Sequence, residues 1–267
     1  MKKVLNVYKP VGTTPLAVVK KLKQQFPKLK NKKVSYAGRL DPMAEGVLLL
    51  LVETENKNRR QYEKLDKDYY FEVLFGVSTD SYDILGKITK TSFLKLNKKF
   101  IKNLNYQVQL FKGKQKQSYP AYCAYHYQGR PLFYWTRQGK LNQVNIPKKD
   151  IFVKKFKFLN YYQINALELK KYIFSNILKV DGDFRQTEIL KQWQKFFNNN
   201  NVGAFAVGCF TIACSSGTYI RSIVNDLANK LKTQALTLKI KRTRVGDYQL
   251  KDSIKLSGYF KDNPVNG

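Results

Sequence analysis

The stretch that most constrains this chain runs from residue 35 to residue 52, SYAGRLDPMAEGVLLLLV. Residues 47 to 52 are apolar without interruption, which reads as a strand buried on both faces, because a strand with one wet face alternates. Just before it, Asp41 lies between Leu40 and Pro42, with Gly38 and Gly46 on either side. Proline fixes its own φ and has no N–H for a ladder, so Asp41 belongs to a loop. The glycines permit close backbone approach, as a loop lining a pocket requires. A carboxylate held this way on a rigid strand is either an ordinary turn aspartate or a functional group, and residue types alone leave both readings open.

Charge narrows the class of partner. The 267 residues carry 49 Lys and Arg against 19 Asp and Glu, a net charge of +30. Such a field suits a polyanion, and nucleic acid is the expected one. General enrichment in Lys would account for the basic side, although not for the shortage of acids. Hydrophobic residues make up 43% and aromatics 14%, enough for a substantial core. Three cysteines with no CxxC pair and a single histidine, His126, argue against a structural metal and against a disulfide framework, which points to the cytoplasm. Neither a signal-type apolar segment at the start nor a run near the roughly 20 residues of a membrane span is present.

Along the chain, residues 4 to 7 read as a strand. Thr14 and Pro15 then read as the N-cap and first turn of a helix carrying Val18, Val19, Leu22 and Phe26, which Pro27 ends. The basic residues from 28 to 33 suit either phosphate contact or a solvated linker. Residues 53 to 68 are helix-like, 69 to 75 form a strand, and 95 to 103 a basic helix. Residues 117 to 139, QSYPAYCAYHYQGRPLFYWTRQG, interleave rings with arginines. That pattern fits base stacking or, equally, core and hairpin pairing. Between 165 and 201, Leu167, Ile173, Ile177 and Leu178, then Ile189, Leu190, Trp193, Phe196 and Phe197, mark two helices broken at 181 to 183 and ended by the Asn198 to Asn201 run. A strand at 204 to 214 precedes a helix opening at 215 to 218. Its stripe is Ile220, Ile223, Val224, Leu227 and Leu231, and Arg221 lies off it in the first turn. A cation is disfavoured at a helix N-terminus. Arg221 is therefore either an exposed surface residue or the partner of a carboxylate.

The segments YKPVG at 8 to 12, YAGRLDPMAEGVL at 36 to 48, LDKDYYFEVLFGVSTDSYD at 65 to 83, SYPAYCAYHYQGRPLFYWTRQG at 118 to 139, CSSGTYIRSIVNDLA at 214 to 228 and KRTRVGDY at 241 to 248 occur together and in this order. In that combination the chain resembles the tRNA pseudouridine-55 synthases of the TruB type, over most of its length apart from residues 165 to 201. The resemblance implies a mixed α/β pseudouridine synthase fold with a central, mostly antiparallel sheet flanked by helices, plus an inserted helical hairpin. It implies a cofactor-free isomerase that detaches uracil from ribose, rotates it and rejoins it through carbon 5, acting on uridine 55 in the T-arm of tRNA. By the same resemblance Asp41 is the carboxylate acting at the sugar, Arg221 its partner, and Tyr69 the ring that stacks on the flipped base and takes part in proton removal at carbon 5. Lys9, Tyr36, Arg39, Ile240 and Arg242 are placed among the substrate-binding residues.

The departures lie in the same loop. Tyr36 stands where the family usually has histidine, and Arg39 where it has a small residue or threonine. The resulting RLD is similar to the RluA-type synthases, which leaves another RNA uridine as the alternative target. A non-catalytic tRNA-binding chaperone would also explain the charge and the rings. The expected organisation is one catalytic domain over 1–267, monomeric, with no C-terminal PUA domain, binding tRNA and no metal or membrane.

Overall fold

The computed structural model describes residues 3–92, 94, 96–199 and 203–258. In chain order the elements are β1 (Val4–Lys9), α1 (Pro15–Gln25), β2 (Val34–Ala37), β3 (Ala44–Val52), α2 (Arg59–Lys64), β4 (Lys67–Phe75), β5 (Val77–Thr79), β6 (Ile88–Thr91), α3 (Lys98–Leu110), β7 (Gly113–Ser118), β8 (His126–Tyr127), β9 (Arg130–Pro131), α4 (Leu132–Arg137), β10 (Lys148–Asn165), α5 (Ala166–Leu178), α6 (Gln186–Asn199), β11 (Ala204–Cys214), α7 (Ile220–Lys230), β12 (Ala235–Val245) and β13 (Tyr248–Gln249).

The central sheet has the order β1-β3-β12-β4-β11-β10-β7, with β2 on β3 and β13 on β12. Of its pairings only β3 with β12 is parallel, so the sheet is mixed and mostly antiparallel. The unbroken apolar run of β3 follows from burial on both faces. Leu48, Leu50 and Val52 pack with Val18, Val19 and Leu22 of α1, while Val47, Leu49 and Leu51 pack with Val245 and the flanking Tyr62 and Leu65. α1 begins as the sequence indicates, with the Thr14 hydroxyl accepting from Ala17 N and Pro15 in the first turn. β4 alternates: Lys67, Tyr69, Phe71 and Val73 are buried, and Tyr69, Phe71 and Val73 face the core that α7 covers with Ile220, Ile223 and Val224.

Residues 165–201, expected to be an inserted helical hairpin, form a pair of helices. α5 is capped by Asn165, whose side chain accepts from Glu168 N, and Leu169, Ile173, Ile177, Ile189, Trp193 and Phe196 are buried against Leu74, Ile84, Val207 and Leu236. The expected stripe needs correction, because Leu167 and Leu178 are exposed and the inward position is Leu169. Trp193 fixes the pair by donating to the Ile84 carbonyl at 3.2 Å.

Other boundaries move. Only residues 59–64 of the 53 to 68 segment form an α-helix, after a 3₁₀ turn at Glu53–Asn58. The basic helix runs from Lys98 to Leu110, with position 95 of the expected span outside the described residues, as are positions 200 and 201 of the asparagine run. α7 starts at Ile220 rather than within 215–218, because Tyr219 is its N-cap.

Gly46 lies in β3 at φ 115, opposite Arg242 of β12, and a Cβ there would collide with the main-chain oxygen, nitrogen and carbonyl carbon of Arg242. Gly139 also has a positive φ, 68, but nothing lies within 4 Å of a Cβ. Gly46→Ala is therefore expected to cost about 2–4 kcal/mol of stability, against about 1 kcal/mol for Gly139→Ala. Urea unfolding of the two variants checks the difference; equal losses would mean that the β3–β12 approach is not tight.

Candidate active site

Asp41 lies in the turn between β2 and β3, at the rim of a cleft of about 720 Å³. Two buried cations bolt this turn to the sheet. Lys9, at the end of β1, donates to the carbonyls of Pro10 (2.9 Å), Pro42 (3.5 Å) and Ala44 (2.5 Å). Arg242, on β12, donates from Nε to Val47 O (2.8 Å), from Nη1 to Arg39 O (3.2 Å) and from Nη2 to Gly38 O (3.0 Å). Gly12 N adds a bond to Pro42 O at 2.8 Å, and Ala44 N closes the turn on Asp41 O at 3.0 Å. The main chain around Asp41 is thus fixed from both sides, while its carboxylate is left one-third exposed toward the cleft.

Arg221 meets that carboxylate from α7, with Nε donating to Asp41 Oδ2 at 2.8 Å. Its other nitrogens are held by main chain, Nη1 by Ser81 O (2.7 Å) and Nη2 by Tyr122 O (3.0 Å). Asp83 Oδ2 stands 3.7 Å from Nε. The helix is itself placed by Gln117 at the end of β7, which accepts from Tyr219 N (2.8 Å) and donates to Tyr219 O (3.1 Å). Arg221 is therefore not a surface residue but 3% exposed, and the helix-terminal penalty on a cation is offset by two carboxylates. Burial alone would lower its pKa, and Asp41 and Asp83 outweigh it to hold the guanidinium above its ordinary value.

Tyr69 comes from β4 onto the same cleft, and its neighbour Tyr70 points to the opposite face, where its hydroxyl donates to Glu72 Oε1 at 2.9 Å. Burial pushes the Tyr69 phenol up to about 12, against the pull of Arg242 beside it, so the ring is neutral at neutral pH. Ile240 and Arg242 of β12 line the cleft near it, and Tyr36 and the exposed Arg39 line the wall before Asp41. The Tyr36 ring also sits under the Arg59 guanidinium, 5.6 Å from its centre.

The sequence puts Lys9 and Arg242 among the substrate contacts; the structure commits both to the loop's main chain. Lys9 is fully buried and stands outside the lining of the cleft, and Arg242 has each guanidinium nitrogen bonded to a carbonyl. Burial pushes the Lys9 amine down to about 7, with Asp41 pulling the other way. Asp83 was missed. It sits in the polar stretch after Gly76, whose only visible signal was a pair of carboxylates three apart. Its Oδ1 accepts from Ser81 Oγ (2.6 Å) and Leu85 N (3.0 Å).

In the ring-rich segment the core-pairing reading is met by part of the rings. Tyr119, Tyr125 and Trp135 pack around the buried Cys123, Leu132 and Val144, while Phe133 and Tyr134 are exposed, Phe133 in the cleft lining. Among the described residues, no group of three or more His, Cys, Asp or Glu side chains is placed to hold a metal, and no helix is long and apolar enough to cross a membrane.

Burial pushes the Asp83 carboxyl up to about 6 from 3.8, although Arg221 pulls against it. The folded state therefore holds a proton there that the unfolded chain releases. The corresponding stability is present below pH 3.8 and is lost as pH rises through about 6, to an extent of about 3 kcal/mol. Urea unfolding at pH 4 and pH 7 should show wild type losing stability relative to Asp83→Asn over this interval; parallel pH curves would contradict it.

Residues 27–173 match the TruB family pseudouridylate synthase (N terminal domain). The chain is 31% identical over 250 residues to tRNA pseudouridine synthase B of Thermosipho melanesiensis, covering 94% of this chain and 66% of that protein. It is 31% identical over 255 residues to tRNA pseudouridine synthase B of Endomicrobium trichonymphae, covering 95% and 87%. Among solved structures it is similar to a chain of a Cbf5-Nop10-Gar1 complex, at a TM-score of 0.56 and 18% identity, covering 95% of this chain and 52% of that one. A chain of an H/ACA RNP bound to a substrate RNA containing 2'-deoxyuridine matches at a TM-score of 0.53. The chain thus spans about half the length of these structural neighbours and just under two thirds of the Thermosipho protein.

Proposed function

The chain belongs to the TruB family of pseudouridylate synthases, and from that premise we propose that it isomerises uridine 55 in the T-arm of tRNA to pseudouridine, as a monomer in the cytoplasm. The observation that carries this reading is the Asp41–Arg221 ion pair, 2.8 Å long, at the rim of a cleft that also holds Tyr69. The isomerisation breaks the bond from the ribose anomeric carbon to N1 and forms one from the same carbon to carbon 5. A proton leaves carbon 5 and N1 gains one, so no co-reactant is needed.

Each residue meets one requirement of that sequence. A base inside a folded RNA has to be extruded before the sugar can be reached, and the wall made by Tyr36 and Arg39, with the basic surface around it, takes the RNA. Tyr69, neutral and rigidly backed by the sheet, offers its face to the uracil. Asp41 acts at the sugar, and Arg221 holds and aims its carboxylate through the 2.8 Å bond. The carbon-5 proton is lost as the ring recovers its conjugation, and the neutral Tyr69 hydroxyl serves as a relay, taking that proton on its oxygen as its own O–H proton passes to water. Three free, buried cysteines fit a reducing compartment.

Asp41→Asn keeps the shape of the loop and removes the charge. Pseudouridine formation is expected to fall by at least about 10³-fold while tRNA affinity changes little. Pseudouridine mapping of tRNA and rRNA after incubation, with filter binding, measures both. A product at another uridine would move the enzyme to a different RNA, and full activity in the variant would sink the role of Asp41. Arg221→Ala should lower turnover by at least about 10²-fold, more than it lowers affinity; equal losses in both would make Arg221 a phosphate contact.

A further inference from the structure

The inserted helices reach the cleft through the turn that joins α5 to α6, where Asp183, Phe184 and Arg185 form part of the lining. Arg185 has φ 65, a conformation that costs a non-glycine residue about 1–2 kcal/mol. Local bonds hold it there: Arg185 N donates to Asp183 Oδ1 (3.1 Å) and Phe184 N to Gln186 Oε1 (2.7 Å). The side chain directed by this turn forks onto Asp80, Nη1 to Oδ2 at 2.7 Å and Nη2 to Oδ1 at 3.2 Å. Its guanidinium also lies over the Tyr122 ring, 4.1 Å from the centroid, and the Tyr122 hydroxyl donates to Asp80 Oδ2 at 3.2 Å.

One side chain thus joins residue 80 to residue 122. The main chain at these two places is what grips Arg221, through Ser81 O and Tyr122 O. The same insertion touches the other half of the pair, since Asp181 N donates to Gly12 O (3.3 Å) and Gly12 N to Pro42 O, next to Asp41. Arg137 pins the turn from the cleft side with a bond to Asp183 Oδ2 at 3.2 Å.

We infer that Arg185 is a positioning residue: by clamping Asp80 to Tyr122 it fixes the spacing of the two carbonyls that hold Arg221, and so the aim of Arg221 at Asp41. A displacement of order 1 Å in such a constellation costs about 10²-fold in rate. The alternative, a direct phosphate contact, is disfavoured because the guanidinium face lies on Tyr122, its fork is on Asp80, and only 15% of the side chain is exposed. The inference rests on the isomerase reading for its activity readout, and a second readout is independent of it.

The test compares wild type with Arg185→Ala, Arg185→Lys, Asp80→Asn and the Arg185→Ala/Asp80→Asn double variant, all as the full chain. Single-turnover pseudouridine formation at saturating tRNA should fall 10- to 100-fold in Arg185→Ala with tRNA Kd unchanged within about 2-fold. Arg185→Lys should restore only part of the rate, because an ammonium can neither fork nor stack in the same way. The double variant should be no worse than the worse single one. In parallel, the side-chain Nε–H resonance of Arg221, assigned by its loss in Arg221→Lys, should shift and exchange faster with solvent in Arg185→Ala. Unchanged rate and resonance in soluble, folded Arg185→Ala or Asp80→Asn overturn the clamp, and so does a loss confined to Kd. An inactive wild type whose Arg221 resonance still depends on Arg185 overturns the isomerase reading while supporting the clamp.

Discussion

The ion pair between Asp41 and Arg221 is the interaction for which the rest of the structure is arranged. Its two members are 180 residues apart, on a loop at one side of the sheet and a helix packed against it, so their separation depends on every pairing between β3 and β11. Burying a cation costs several kcal/mol unless it is paired and its donors are satisfied. Among the described residues the structure meets this cost four times, for Lys9, Lys67, Arg221 and Arg242, all less than about 5% exposed. Lys9 and Arg242 direct their hydrogen bonds to main-chain carbonyls rather than to carboxylates, so an ion pair is not what places them. They hold the main chain on both sides of Asp41, which is where a small shift would move the carboxylate.

That arrangement explains the parallel pair in an otherwise antiparallel sheet. Placing β12 beside β3 brings Arg242 under the Asp41 loop, and the pairing of β12 with β4 brings Arg242 beside Tyr69. A single arginine therefore touches the supports of both the proposed catalytic carboxylate and the proposed stacking ring. Gly46 sits where no side chain could stand between its backbone and that of Arg242 on the parallel neighbour. The glycine after the loop is thus a consequence of the neighbour on β12 as much as of the turn itself.

The parts legible in the sequence were those set by local pattern. The apolar run of β3 announced a strand covered on both faces, whereas residue types left Asp41 equally readable as an ordinary turn aspartate, and only the motif around it gave it a role. Arg221 was legible as a misplaced charge, since a cation in the first turn of a helix needs a reason. What remained hidden depends on contacts distant in sequence. Asp83 reads as an ordinary polar residue in a turn until Arg221 is folded against it. Lys9 and Arg242 read as RNA contacts because basic residues usually face solvent, and nothing local says that six carbonyl contacts await them inside. Leu167 and Leu178 match the helical period but lie just outside the arc that the sheet covers. The 18-residue β10 escaped because its alternation is broken: Phe152 and Leu159 are exposed, and the register shifts between Val153 and Lys155 and between Phe158 and Asn160.

The α5–α6 pair is the other part that local pattern described only in outline. Its helices announce themselves by period, yet their contribution to the site lies in a turn whose decisive feature is one arginine with positive φ. That turn meets three separated segments, residue 12 through the Asp181 main chain and residues 80 and 122 through the Arg185 side chain, and each of these adjoins a group that holds Asp41 or Arg221. A helical pair that only enlarged the core would need no bonds to those segments, because Trp193, Ile173 and Leu169 already bury its apolar face. Specific polar contacts at the cleft, added to an apolar seat that is complete without them, are the mark of an element kept for placement rather than for bulk stability.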